Sequence, residues 1–115
     1  MLMIMLILDN PSLCRDVLDA WEKAGVQGVT ILASTGLGRV RMRKGLLDDV
    51  PFMPSLEEFF REEESQNRTL LSVVPDKDTV DRVRAATTGV VGDLNRPGTG
   101  ILVVLPVLEA YGLAE

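Results

Sequence analysis

The chain has 115 residues, 46% hydrophobic and 25% charged, proportions that suit one compact globular domain spanning 1–115. It holds no histidine and one cysteine, which removes His-based triads, most transition-metal sites and any internal disulfide. Twelve basic against 17 acidic residues give a net charge of −5. That balance speaks against nucleic-acid binding, which rests on neutralised phosphates, and leaves binding, sensing or structural roles.

The chain opens on an unbroken apolar run, Leu2–Leu8. It has no basic leader and is too short to span a bilayer, so it predicts a strand buried on both faces of a cytoplasmic protein. Asn10-Pro11-Ser12 supplies a helix start. Leu13, Val17, Leu18, Trp21 and Ala24 then share one helical face, with Arg15, Asp19 and Lys23 on the other. Gly25 is a natural stop. Cys14, on this helix, is expected to be a small core residue. Val29–Ala33 predicts a second strand, and Thr35-Gly36-Leu37-Gly38-Arg39 a glycine-broken exit.

Residues 40–68 differ in composition. Arg39, Arg41, Arg43 and Lys44 form a basic stretch, and Ser55-Leu-Glu-Glu58 a capping box opening a short acidic helix over 55–64. In that region Glu57 with Arg61 and Glu64 with Arg68 are spaced for helical ion pairs. The first pattern then returns. Leu70–Val74 predicts a strand, and Asp76 or Asp78 caps a helix with Val80, Val83 and Thr87 inward. Asp78 with Arg82 and Asp81 with Arg84 are expected on its outer side. Thr88–Asp93 reads as a helix cap and loop, Asn95–Gly100 as a turn-rich stretch, and Ile101–Leu105 as the last strand.

Strand–helix–strand twice, with an insertion between strands 2 and 3, is the ferredoxin-like α+β plan, βαββαβ. Both helices cover one face of an antiparallel sheet. Strand 1 is apolar on both faces, so the other face needs cover, and a second copy or another chain is expected there in preference to helix 55–64, which is short with a narrow apolar face.

Two loops invite ligands. Gly36-Leu-Gly-Arg39 after a strand offers backbone N–H groups and a guanidinium to an anion, and Thr88–Asp93 offers more N–H groups and a hydroxyl. Taken singly, each reads better as a plain strand exit or helix cap. Together they look like halves of one pocket. Neither is a Rossmann or Walker loop. The acidic 57–64 stretch lacks a coordination loop and predicts a solvated face rather than a metal site.

Four motifs in order carry a likeness: Ala24-Gly-Val-Gln-Gly-Val-Thr-Ile31, Gly36-Leu-Gly-Arg39, Val73-Val-Pro-Asp76 with Val80-Asp-Arg-Val83, and Thr88-Gly-Val-Val-Gly-Asp93. This set resembles the nitrogen-regulatory P-II signalling family. The resemblance implies a homotrimer whose sheets face inward and a non-enzymatic regulator without catalytic residues or a metal. It implies an adenine nucleotide (AMP, ADP, ATP or a cyclic nucleotide) in clefts between subunits, with no obligatory cofactor. It also implies that segment 40–68 docks on a protein target such as a membrane transporter. Carried over by motif, the pocket takes Thr30, Gly36, Leu37, Gly38 and Arg39 from one subunit edge. Leu71 and Val73 lie by the base, and Thr88, Gly89, Val90, Val91, Gly92 and Asp93 come from the other loop.

The chain departs from the family in places. Val40 stands where 2-oxoglutarate sensors carry Gln, and the tyrosine of uridylylated members is missing from 40–68. The family's Gly-Asp-Gly-Lys is replaced by Gly92-Asp-Leu-Asn, with Arg96 the nearest cation to stand in, and the chain stops at Glu115 before the family's distal arginines. With fewer cations, a mono- or diphosphate suits the pocket better than a triphosphate. Two other readings share the residues. One is a trimeric copper-tolerance-type scaffold, against which the absent histidine weighs. The other is a small nucleotide hydrolase with Asp93 orienting water, for which no nucleophile–base pair is apparent.

Overall fold

The computed structural model describes residues 1–36 and 65–113. Four strands, β1 (Leu2–Leu8), β2 (Thr30–Gly36), β3 (Ser65–Val74) and β4 (Gly100–Pro106), form one sheet in the order β2-β3-β1-β4. Every pairing is antiparallel. Helices α1 (Cys14–Lys23) and α2 (Lys77–Val91) connect β1 to β2 and β3 to β4. This is the expected ferredoxin-like α+β architecture.

Alternation along β1 decides which side is covered. Ile4, Leu6 and Leu8 are buried, while Met3, Met5 and Ile7 between them are only half-buried. The buried set packs with Leu70 and Val74 of β3, Val17 and Trp21 of α1, Val80 and Val83 of α2, and Val26. Trp21 is enclosed and still satisfies its polar edge. Its Nε1 donates to Thr87 Oγ1 at 2.8 Å, and that hydroxyl donates to the Val83 carbonyl at 2.7 Å. Ser72, buried on the same side, donates to the Gly28 carbonyl at 2.6 Å and ties down the connection into β2.

The other face has no cover among the described residues. By register it carries Met3, Met5, Ile7, Leu32, Leu71, Val73, Ile101, Val103 and Leu105. Ile101 is 57% exposed and Leu32 48%. An apolar face of this breadth is unusual for an isolated soluble chain.

Several boundaries differ from the expected ones. Asn10 does cap, accepting from the Ser12 N–H at 3.0 Å, but the turn it opens is a 3-10 helix, Pro11–Leu13, before α1 proper. Cys14 is half-buried against the core rather than within it. β2 runs on through Gly36, so Thr35 and Gly36 belong to the strand instead of a turn. β3 begins at Ser65 rather than Leu70, because Asn67 and Thr69 find hydrogen-bond partners across the hairpin. The insertion therefore ends before residue 65 instead of at 68. Arg68 is a strand residue whose Nη1 donates to the Asn67 carbonyl. The basic stretch 39–44, the capping box at Ser55, the helix over 55–64 and Glu57, Arg61 and Glu64 lie outside the described residues.

Asp76 caps α2, accepting from the Thr79 N–H at 2.9 Å and its hydroxyl at 2.7 Å. Those bonds hold its carboxyl below the ordinary value. Lys77 donates to Asp81 at 2.6 Å and lowers that carboxyl too, with Arg84 also beside it. Arg82 turns from the expected Asp78 toward α1, donating to the Ala24 carbonyl and to Thr79 Oγ1, each at 3.1 Å. At the start of β4, Gly100 has φ +138°, and a Cβ there would stand 2.6 Å from the Ile7 carbonyl oxygen. Only glycine lets the two strands pair so closely.

Candidate functional site

The two candidate segments are built differently. The first grows out of edge strand β2. Thr30 opens that strand opposite Leu71 of β3, so these two residues are cross-strand neighbours on the open face. Val73 follows on the same face, paired with Met3. Gly36 closes β2 opposite Ser65. Leu37, Gly38 and Arg39 lie outside the described residues.

The second segment is not the expected loop. α2 continues through Val91, so Thr88, Gly89, Val90 and Val91 form its last turn. The helix thus runs past the residue at which it was expected to stop. Val90 and Val91 are packed against the core, and Thr88 and Gly89 are exposed. The helix ends at Gly92, φ +89°, whose N–H donates to the Thr88 carbonyl at 2.9 Å. This end of the helix presents carbonyl groups and the negative end of its dipole. The N–H groups that could meet an anion begin with the turn beyond it.

That turn is well tied. Asp93 accepts from the Asn95 N–H at 2.9 Å, and its own carbonyl accepts from the Arg96 N–H at 3.0 Å. The Thr99 hydroxyl donates to the Arg96 carbonyl at 2.9 Å, with the Leu94 carbonyl oxygen 3.3 Å away. Asp93 and Arg96 are both exposed. The Asp93 carboxylate is engaged in shaping the turn, which is a sufficient reason for an aspartate there.

The sheet order decides how the two segments relate. The turn 92–100 feeds β4 at one edge, and Gly36 ends β2 at the other, with β3 and β1 between. At the usual strand spacing the edges are roughly 14 Å apart. Both ends lie at the same end of the sheet, since Gly100 pairs with Leu8, and Leu8 with Arg68 of the hairpin. One chain thus brings Thr30, Leu71 and Val73 together and leaves 88–93 and Arg96 on the side of the opposite edge.

Residues that the motifs did not single out also sit here. Ser34, Asn67 and Thr69 form a hydrogen-bonded group at the base of the β2–β3 hairpin. Their sequence signal was alternation: Asn67 and Thr69 lie two apart, in step with Leu71 and Val73 on one face of β3. Among the described residues no group of three or more Cys, Asp or Glu side chains is placed to hold a metal. Among them, too, no helix is long and apolar enough to cross a membrane.

The family model described as Nitrogen regulatory protein P-II matches residues 1–113. The chain belongs to this family. No curated protein matches it. Among solved structures, it is similar to the Arabidopsis thaliana PII protein crystallised with citrate, at 20% identity and a TM-score of 0.61. That match covers 92% of this chain and 76% of the plant protein, and at such identity it shows the shared fold. Family membership makes the chain a P-II signalling protein.

Proposed function

We propose that this P-II protein is a cytoplasmic, non-enzymatic regulator, one domain over 1–115, that works as a homotrimer. An adenine nucleotide binds in clefts between its subunits. Thr30, Gly36, Leu37, Gly38, Arg39, Leu71 and Val73 come from one subunit, and Thr88, Gly89, Val90, Val91, Gly92, Asp93 and Arg96 from its neighbour. The ligand orders the segment between β2 and β3, which docks on a protein target such as a membrane transporter. Ligand-driven ordering of a segment is a common switching mode.

The observation that supports this reading is that Gly36 and the turn 92–100 lie at opposite edges of one sheet, in a chain whose second sheet face is apolar and has no cover among the described residues. A neighbouring copy supplies both the cover and the missing half of the pocket. The ligand preference follows from charge. Asn95 stands where the family's phosphate-binding lysine is expected, and Arg39 and Arg96 are the cations among the proposed site residues. A mono- or diphosphate suits two guanidinium groups and a few backbone N–H groups better than a triphosphate.

Isothermal titration with ATP, ADP, AMP and cyclic AMP tests the proposal. Binding of AMP or ADP in preference to MgATP is expected. Tight MgATP binding with no AMP or ADP binding overturns the preference, and no heat with any nucleotide overturns the reading.

A further inference from the structure

The open sheet face changes character at the end from which the insertion leaves. There Ser34 and Asn67, directly paired across β2 and β3, meet Thr69. Asn67 is 5% exposed and Thr69 9%. The Ser34 hydroxyl donates to Asn67 Oδ1, and its Oγ lies 2.9 Å from Thr69 Oγ1. A hydroxyl carries one proton. With Ser34 spending its proton on Asn67, Thr69 is the donor in the second contact. The relay runs Thr69 to Ser34 to Asn67, and it fixes the amide with its oxygen toward Ser34 and its nitrogen turned away.

That nitrogen faces Gly36. Ser34 and Gly36 share a face of β2, and Asn67 is the diagonal neighbour of Gly36 across the hairpin. A Cβ placed on Gly36 would stand 3.3 Å from Asn67 Nδ2, tighter than an ordinary van der Waals contact. The amide thus lies against the backbone of the last β2 residue. Three apolar side chains would hold these strands together as well, without the desolvation cost of buried polar groups. What they lack is a fixed orientation. A hydrogen-bonded amide locks a torsion that a leucine leaves free.

We infer that Asn67 is a positioning residue. Held by Ser34 and Thr69, its amide packs on Gly36 and fixes the backbone of that last residue of β2. This inference rests on the nucleotide-site reading for its functional consequence. If Gly36 meets the ligand, the position of its backbone governs affinity. Asn67 itself touches no ligand.

A double-mutant cycle on the full chain, Asn67→Ala with Gly36→Ala, titrated with ADP, tests the inference. Each single variant is expected to weaken ADP binding about tenfold, a coupling of the size seen between residues in contact. The double variant binds no more weakly than either single one, because removing the amide opens the space that the new methyl group needs. A merely structural role for Asn67 lowers the melting temperature and leaves the ADP affinity of the folded protein unchanged, and that result overturns the inference. Additive losses overturn it as well. Should the unaltered protein bind no ADP, the nucleotide reading fails, and amide hydrogen exchange decides the matter without ligand. Gly36 and Ser65 then exchange about tenfold faster in Asn67→Ala, with the Leu6 amide unchanged. Equal exchange at Gly36 contradicts the packing role.

Discussion

The two faces of the sheet are made of the same kind of residue and have opposite fates. Strand β1 shows this within seven residues. Ile4, Leu6 and Leu8 are sealed under two helices, while Met3, Met5 and Ile7 face outward beside Ile101, Val103 and Leu105. A strand with one solvated face reads as alternating apolar and polar residues, and this one does not. The covered face is completed by its own helices, and the open face has no cover among the described residues. The open face also holds the exception, the Ser34, Asn67 and Thr69 group, at the end from which the insertion leaves.

Substitutions on the two faces separate these roles. Trp21→Ala empties the centre of the covered face and orphans the Thr87 acceptor, and is expected to cost about 3–5 kcal/mol in chemical denaturation. Gly100→Ala, where β4 meets β1, forces a methyl group against the Ile7 carbonyl at an unfavourable φ. A loss of about 1–3 kcal/mol is expected in the same assay. Met5→Glu sits on the open face of the same strand. It should leave the circular dichroism of the chain intact and shift its mass by light scattering from the assembly to the 12.6 kDa chain. Unfolding by Met5→Glu would show that the open face is needed for the fold itself.

The smallest expected effect is electrostatic and belongs to the rim. The Asp76 carboxyl titrates below its ordinary 3.8, mainly because the Thr79 N–H and hydroxyl bond to its charged form. A lowered folded value means that its contribution is fully present above the unfolded value and is lost as pH falls through the folded one. Melting temperature against pH should therefore decline less below pH 4 in Asp76→Asn than in the unaltered chain. Parallel curves would remove the cap from the account.

Much of the covered face was legible in the sequence. The apolar run of β1, the 3.6-residue spacing of Val17 and Trp21, and the Asp76 cap each point to the element observed. The boundaries less so, for one physical reason. Apolar runs mark where a strand is buried, and hydrogen bonds decide where it ends. Ser65–Thr69 contains no apolar residue, yet it pairs, because Asn67 and Thr69 find Ser34 across the hairpin. Thr88–Val91 stayed helical since Val90 and Val91 have a core to pack on, and the stop came at Gly92. The candidate site was legible as motifs and not as geometry. That Gly36 and the turn 92–100 lie at opposite edges follows from the sheet order, which no motif spacing encodes.

The central claim is that the nucleotide site is completed between copies across an assembly built on the open face. Titration of ADP into the unaltered protein and into Met5→Glu tests it most directly. Met5 belongs to the face and to none of the proposed ligand-binding residues. The account predicts one ADP per chain in the assembled protein and no measurable binding in the dissociated, folded variant. Equal affinity in both would place the whole site within one chain and contradict it.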